Sequence, residues 1–239
     1  MNRLDNRPGD QLRPVSFNTG FTKWAEGSVL VRFGETHVLC NATLEENLPG
    51  WLKRSPDPHG WLTAEYALLP RSTQERTRRE LRWPRGRTQE ISRLIGRSLR
   101  MALDLDLLGR RQIVVDCDVL QADGGTRTAA ITGGWVAVAL ALQPLIDSEE
   151  LSPAVLRNQI AAVSVGVVDG LPMLDLDYEE DLLADSDINV VMTATGDLVE
   201  VQGTAEEAPF SRLELNELLD LAEAGIAQLV RQQNKALKR

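Results

Sequence analysis

Apolar residues recur along this chain in two rhythms, a period of two that marks strands and a period near 3.6 that marks helices. Ser28–Phe33 and Thr36–Leu44 are rich in β-branched and apolar residues and are split by Gly34-Glu35, which reads as a hairpin. Leu62–Leu69 reads as a further strand, ended by Pro70. Over about 88–108, Ile91, Leu94, Ile95, Ser98, Leu99 and Ala102 fall on one stripe, which predicts a helix stopped by Gly109. Arg93, Arg97 and Arg100 share a separate stripe of that helix. Ile113–Leu120 reads as a strand, and an apolar helix follows to about Leu142, with Pro144 beyond it.

The second half partly echoes the first. Ile160–Val168 reads as a strand, Asp169-Gly170 as a turn and Met173–Leu176 as a short strand. Ile188–Thr195 and Leu198–Gln202 form a hairpin across Gly196-Asp197. A last amphipathic helix covers about 211–235, with Leu215, Leu218, Ala222, Ile226 and Leu229 on its face. Strands then helices, twice, predict an α+β fold with helices packed on one face of mixed sheets. The expected organisation is one domain over 1–239, with halves at about 13–145 and 158–239. Residues 1–14 lack periodicity and read as a loose or edge-docked arm. Residues 45–61 hold three prolines and two glycines and read as a long loop. Residues 71–87, polar and broken by Pro84 and Gly86, read as another loop.

A chain of 239 residues with 43% apolar and 26% charged residues buries a real core, which excludes disorder, collagen and coiled coil. No apolar run approaches the roughly 20 residues of a membrane span, and the start carries no signal-peptide segment. The expected setting is the cytoplasm, without a membrane partner. Cys40 and Cys117 stand in apolar surroundings and read as packing residues. With no CxxC, and only His37 and His59 as histidines, zinc is not expected. The net charge of −9 is unevenly placed. Residues 71–100 carry ten arginines, no lysine and three glutamates, a local +7 that leaves −16 on the rest. A basic segment in an acidic chain points to a polyanion bound locally.

Three constellations carry candidate chemistry. Asp123-Gly124-Gly125-Thr126-Arg127-Thr128 lies between a strand and a helix. Glycines let backbone N–H groups approach a ligand, the helix start adds partial positive charge, and Arg127 offers a bidentate fork. The string can hold an anion about the size of one phosphate, or be a capped helix start with a surface arginine. Gly86-Arg87-Thr88 opens the other strong helix, where Arg87 can reach the same anion or point to solvent. The arginines around it suit a phosphodiester backbone, and Trp83 among them suits either a stacked base or a buried anchor. The third constellation is acidic: seven acids lie within 175–187, and Asp175 and Asp177 are expected to share one strand face. Solvent, facing arginines or an oxygen-liganded Mg²⁺ or Mn²⁺ can relieve their repulsion. A phosphate-sized site, a basic track and carboxylates together are the parts of phosphoryl or nucleotidyl transfer on a nucleic acid.

The strings Leu62-Thr63-Ala64-Glu65-Tyr66, Leu69-Pro70-Arg71-Ser72-Thr73, Gly86-Arg87-Thr88-Gln89-Glu90-Ile91, Gln121-Ala122-Asp123-Gly124-Gly125-Thr126-Arg127-Thr128 and Val199-Glu200-Val201-Gln202-Gly203-Thr204-Ala205 resemble the ribonuclease PH family. The resemblance runs from about Arg13 to the last helix. It implies a fold like the second domain of ribosomal protein S5, and a homohexamer built as a trimer of dimers. It also implies phosphorolytic 3′→5′ exoribonuclease and reversible tRNA nucleotidyltransferase activity on tRNA precursors and other RNA. Inorganic phosphate is then the co-substrate and nucleoside diphosphate the product. Carried over by position, Arg87, Gly125, Thr126 and Arg127 bind phosphate. Asp181 and Asp187 are the catalytic, Mg²⁺- or Mn²⁺-associated carboxylates. Arg71, Arg76, Arg78 and Arg79 contact RNA. One stretch departs from the family: Arg79 to Arg85 is bulky, with Leu81, Trp83 and Pro84, where relatives are commonly small and Gly/Lys-rich.

Two other classes fit parts of this pattern. A non-catalytic RNA-binding ring subunit of the same fold can lack the arginines or aspartates that this chain keeps. A metal-dependent hydrolytic nuclease uses the acids but leaves the Gly-Gly-Thr-Arg string without a role.

Overall fold

Strand β1 (Val15–Thr19) pairs with β2 (Gly27–Phe33), which pairs with β3 (Thr36–Glu45), as an antiparallel meander. The computed structural model describes residues 3, 6–80, 86–206 and 209–238. After β3, the expected long loop contains one helical turn, α1 (Gly50–Lys53). Strand β4 (Trp61–Leu68) is followed by residues 69–80, which form neither helix nor strand, and α2 spans Gly86–Met101. A separate turn, α3 (Leu105–Leu108), precedes β5 (Gln112–Gln121), which lies parallel to β4. The first sheet has the order β1-β2-β3-β5-β4.

Helix α4 (Thr126–Asp147) then crosses to the second half. There β6 (Ile160–Val168), β7 (Leu171–Leu174), α5 (Tyr178–Leu183), β8 (Ser186–Thr193) and β9 (Leu198–Ala205) follow in sequence. The second sheet is antiparallel, in the order β7-β6-β8-β9. Helix α6 (Arg212–Ala236) closes the chain against β6, β7 and β1.

The core explains the layering. Along β5, Ile113, Val115, Cys117 and Val119 alternate inward and are all but fully buried. Helix α4 packs on β2 and β3 on one side and on β6 on the other. Its fit is tight: a Cβ at Gly27 would lie 1.9 Å from the Ala137 carbonyl oxygen, so only glycine serves there. Cys40 and Cys117 face each other across β3 and β5, with Sγ atoms 3.9 Å apart. One continuous apolar cluster runs from β2 through α4 to β6, β8 and α6.

Several expectations need correction. Of the two forms expected for the arm over 1–14, loose or edge-docked, the described residues 3 and 6–14 take the docked one. Arg3 donates to Glu180 at 2.6 Å and Arg13 to Asp175 at 2.7 Å, and all four side chains are buried. Val15–Thr19 adds an edge strand that periodicity did not show. The helix expected over 88–108 breaks after Met101, because Leu103 bridges to Leu156 and the Asp104 side chain caps α3 through the Asp106 and Leu107 N–H groups. Helix α4 passes through Pro144 to Asp147. The N–H that proline lacks is one intrahelical bond, and burial of the surrounding apolar residues offsets it. The helix is long and apolar enough to cross a membrane, with mean hydropathy 1.7 over its best window, contrary to the expected lack of such a run. In this fold 72% of that window is buried, so the segment serves as the central core helix.

Asp175 and Asp177 do not share a strand face. β7 ends at Leu174, Asp175 takes a left-handed φ of 56°, and Asp177 caps α5 in a capping box with Glu180.

The buried Arg13–Asp175 pair yields a prediction. Arg13→Ala strips the guanidinium bonds from the fully buried Asp175, leaving it the residue-13 backbone N–H and Arg7 Nη1 at 3.9 Å, and lowers the unfolding free energy by about 3 kcal/mol. Urea denaturation measures this; an unchanged midpoint and slope would reject the assignment.

Candidate active site

The turn between β5 and α4 builds the floor of the site. Gly124 and Gly125 both adopt left-handed φ values, 69° and 62°. A Cβ at Gly124 would come within 2.5 Å of the Leu176 carbonyl oxygen, so the turn depends on glycine for space and for backbone conformation. Thr36 pins this turn: its hydroxyl donates to the Gly124 carbonyl at 2.6 Å and accepts from the Asp123 N–H at 2.9 Å. Arg13 Nη1 donates to the Asp123 carbonyl, and the Tyr178 N–H donates to Asp123 Oδ1 at 3.3 Å. The start of α4 is thereby aimed into a cavity of about 590 Å³, with its positive dipole end inward. Thr126 Oγ1 lies 2.8 Å from the Tyr66 hydroxyl. Burial pushes the Tyr66 phenol up, against the opposing effects of the Thr126 bond, Arg87 and Arg127.

Cations and carboxylates then meet across the cavity. Arg87 stands exposed in the first turn of α2, whereas Arg127, in the first turn of α4, is only 16% exposed. Arg127 Nη1 donates to Gln202 Oε1 at 2.6 Å and lies 3.4 Å from Glu90 Oε1, while Gln202 Nε2 donates to Glu90 Oε1 at 3.0 Å. Asp181 comes from α5 and Asp187 from β8. Desolvation within the cavity raises the Asp181 carboxyl, opposed by Arg87 and Arg127, with Glu206 adding to the rise. Asp187 is pushed up to about 6 by burial and then by Asp181, with Arg127 and Asn189 pulling the other way. Asn189 Nδ2 reaches Asp187 Oδ2 at 3.5 Å. Asp187 Oδ1 is buried with no hydrogen-bond partner among the described residues.

The structure thus brings Arg87, Gly125, Thr126, Arg127, Asp181 and Asp187 to one cavity. It does not gather all seven acids of 175–187. Asp175 pairs with Arg13, Glu180 with Arg3, and Asp177 caps a helix. Among the described residues, no group of three or more His, Cys, Asp or Glu is placed to hold a metal ion. Arg71, Arg76, Arg78 and Arg79 are exposed on the segment after β4, whose Thr73, Gln74, Glu75 and Thr77 line the cavity. Leu81, Trp83 and Pro84, the bulky departure, lie outside the described residues. The Arg93, Arg97 and Arg100 stripe is partly engaged elsewhere. Arg97 pairs with Glu200 at 2.5 Å, and Arg100 donates to the Leu62 carbonyl at 2.9 Å and covers the Trp61 ring.

Sequence reasoning gave no role to Tyr66, Glu90, Asn189, Gln202 or Glu206. Asp187 and Asn189 sit two apart on β8, and that alternation was a usable signal for a shared face. Glu90 and Gln202 lay in strings already noted but had no visible partner there.

Comparison with known proteins closes the question of kinship. The 3′ exoribonuclease family matches in two parts, its domain 1 at residues 11–144 and its domain 2 at residues 158–225. A ribonuclease PH of Crocosphaera subtropica is 59% identical over 235 residues, covering 98% of this chain and 97% of that protein. A ribonuclease PH of Solibacter usitatus is 54% identical over 238 residues, covering 99% of both. Among solved structures, rice (Oryza sativa) Rrp46 superposes with a TM-score of 0.80 at 18% identity, over 98% of this chain and 100% of the other. The Archaeoglobus fulgidus exosome with RNA bound to the active site contributes a chain with a TM-score of 0.78 at 23% identity, over 97% and 92%. These two show the fold alone. With both family domains matched in order and more than half of all positions shared with relatives over nearly the full length, the chain belongs to the ribonuclease PH family of 3′ exoribonucleases.

Proposed function

We propose that orthophosphate, held between Arg87, Arg127, Thr126 and the Gly124-Gly125 turn, attacks the last phosphodiester of an RNA 3′ end. The reaction class, phosphorolytic 3′→5′ exoribonuclease activity in tRNA processing, comes with the family. The residue roles are our reading of the cavity. The observation that carries them is the convergence of two arginines, a helix N-terminus and two carboxylates on one cavity.

In this scheme the arginines bind and orient the attacking phosphate, whose oxygen forms the new P–O bond as the bond to the 3′ oxygen breaks. The product is a nucleoside diphosphate. Its phosphoanhydride is conserved, so the reaction runs both ways. The departing 3′ oxygen takes a proton, and of the two raised carboxyls Asp187, pushed up to about 6, is the donor we assign.

Asp181 and Asp187 are the residues that would hold Mg²⁺ (or Mn²⁺). The donor set fits: two carboxylates with an unpartnered buried oxygen suit a cation that draws its other ligands from water and substrate phosphate. When bound, the ion neutralises charge on the transferring phosphoryl group and the leaving oxygen. The exposed arginines of 71–79 serve the RNA substrate, tRNA precursors first among them.

We also propose a cytoplasmic homohexamer, a trimer of dimers. Trp24 at 84%, Leu213 at 75% and Leu183 at 66% exposure are large apolar surfaces that association would cover. Light scattering after size exclusion should give six copies; a stable monomer contradicts the ring.

Product identity tests the mechanism. A 3′-tailed RNA should release nucleoside diphosphates only when phosphate is supplied, and phosphate-independent monophosphates reject it. Arg127→Ala should lower kcat/KM by about 10²–10³-fold with the ring intact.

A second prediction follows from Asp187. Its carboxyl is raised to about 6 in the fold, so folding favours the protonated form. Stability is therefore fully present near pH 4 and is lost as pH rises through about 6. In EDTA at pH 8, Asp187→Asn should be more stable than the unsubstituted chain by about 1–2 kcal/mol, with the gain gone near pH 4. Added Mg²⁺ should raise the Tm of the unsubstituted protein only. Thermal melts across pH decide both; equal Mg²⁺ stabilisation of the variant removes Asp187 from the metal site.

A further inference from the structure

We propose that Glu90 and Gln202 are positioning residues for Arg127, setting the guanidinium plane that receives orthophosphate; this rests on the reading of Arg127 as a phosphate ligand. Arg127 is largely buried, and Nη1 is the guanidinium atom engaged with these two side chains. A guanidinium is a planar fork, so fixing one corner fixes where the other N–H groups point. Gln202 Oε1 fixes that corner at 2.6 Å.

A glutamine amide alone has two nearly equivalent orientations. Turned over, it would present its NH₂ to the guanidinium and lose the bond. Glu90 selects the working orientation by accepting from Gln202 Nε2 at 3.0 Å.

The surroundings support this division of labour. Glu200 and Gln202 lie two apart on β9 and so share a face. Glu90 and Arg97 lie seven apart on α2, two turns along one side. Arg97 donates to Glu200 at 2.5 and 3.2 Å, so a second pair fixes β9 against α2 beside the first. The closer partner of Arg127 is a neutral amide and the carboxylate sits farther away, at 3.4 Å. That order holds the guanidinium without cancelling the charge that phosphate needs.

Steady-state phosphorolysis with Mg²⁺ at saturating RNA and varied phosphate is the test. Glu90→Ala and Gln202→Leu should each raise the KM for phosphate about tenfold, the scale of one charge-assisted hydrogen bond. The KM for RNA and kcat at saturating phosphate should stay within about twofold, a split that general loosening of the fold would not give. Glu90→Gln keeps an acceptor oxygen for the Gln202 amide and should recover most of the loss. Gln202→Glu places a carboxylate against Arg127 and should raise the phosphate KM more than Gln202→Leu does. It also serves if the leucine variant fails to fold. An unchanged phosphate KM in Glu90→Ala and in the Gln202 variants, or an equal rise in the KM for RNA, overturns the proposal. Arg127→Ala separates the two failures. If it lowers kcat/KM by the expected about 10²–10³-fold while the positioning variants behave as the unsubstituted enzyme, only the positioning idea falls. If it leaves phosphate dependence intact, the reading of Arg127 falls first.

Discussion

One buried guanidinium holds the working parts of this molecule in register. Arg13 lies near the start of the chain, pairs with Asp175 beyond β7, and donates to the Asp123 carbonyl at the mouth of the glycine turn. The Arg13 backbone N–H also donates to Asp175 Oδ2 at 2.8 Å. The same contact therefore ties the two halves together and sets the distance between the glycine turn and α5, the helix that carries Asp181. A buried ion pair adds little net stability when both partners are present, because desolvation offsets the attraction. Its value here is geometric: the carboxylate and the anion turn cannot drift apart without exposing an unpaired charge.

The cavity itself works against stability. Crowding Asp181 and Asp187 into a desolvated space raises both carboxyls, and two nearby arginines oppose the rise only in part. A protein selected for firmness alone would fill such a space with apolar side chains. On the proposed mechanism the strain sits where a charged substrate and a cation would relieve it, which is the usual trade between stability and function.

What could be read from the sequence follows from how local each cause is. The α2 stripe was legible to the residue, since Ile91, Leu94, Ile95, Ser98 and Leu99 are buried by a period set within the helix. The glycine turn itself was legible because its groups lie within six consecutive residues. The docking of the arm was legible only as one of two alternatives, because Arg13 meets a partner 162 positions away. The break after Met101 depends on a bridge from Leu103 to Leu156, which is also distant in sequence. The acidic run was visible as composition, yet its members divide between buried arginines, a helix cap and the cavity, and only tertiary structure assigns them. Glu90 and Gln202 belong to the same class: each is unremarkable alone, and their role exists only where α2 and β9 meet.

The all-round apolar character of α4 has a consequence for biosynthesis. Its first flank is covered by β2 and β3, which leave the ribosome before it. Its other flank waits for β6, and the gap between them is bridged by little more than a single 3₁₀ turn at Pro153–Val155. A nascent chain halted between them would present a greasy cylinder with half its wall missing. Holdase chaperones recognise such surfaces, and translation through this stretch is an interval in which exposed apolar surface favours aggregation.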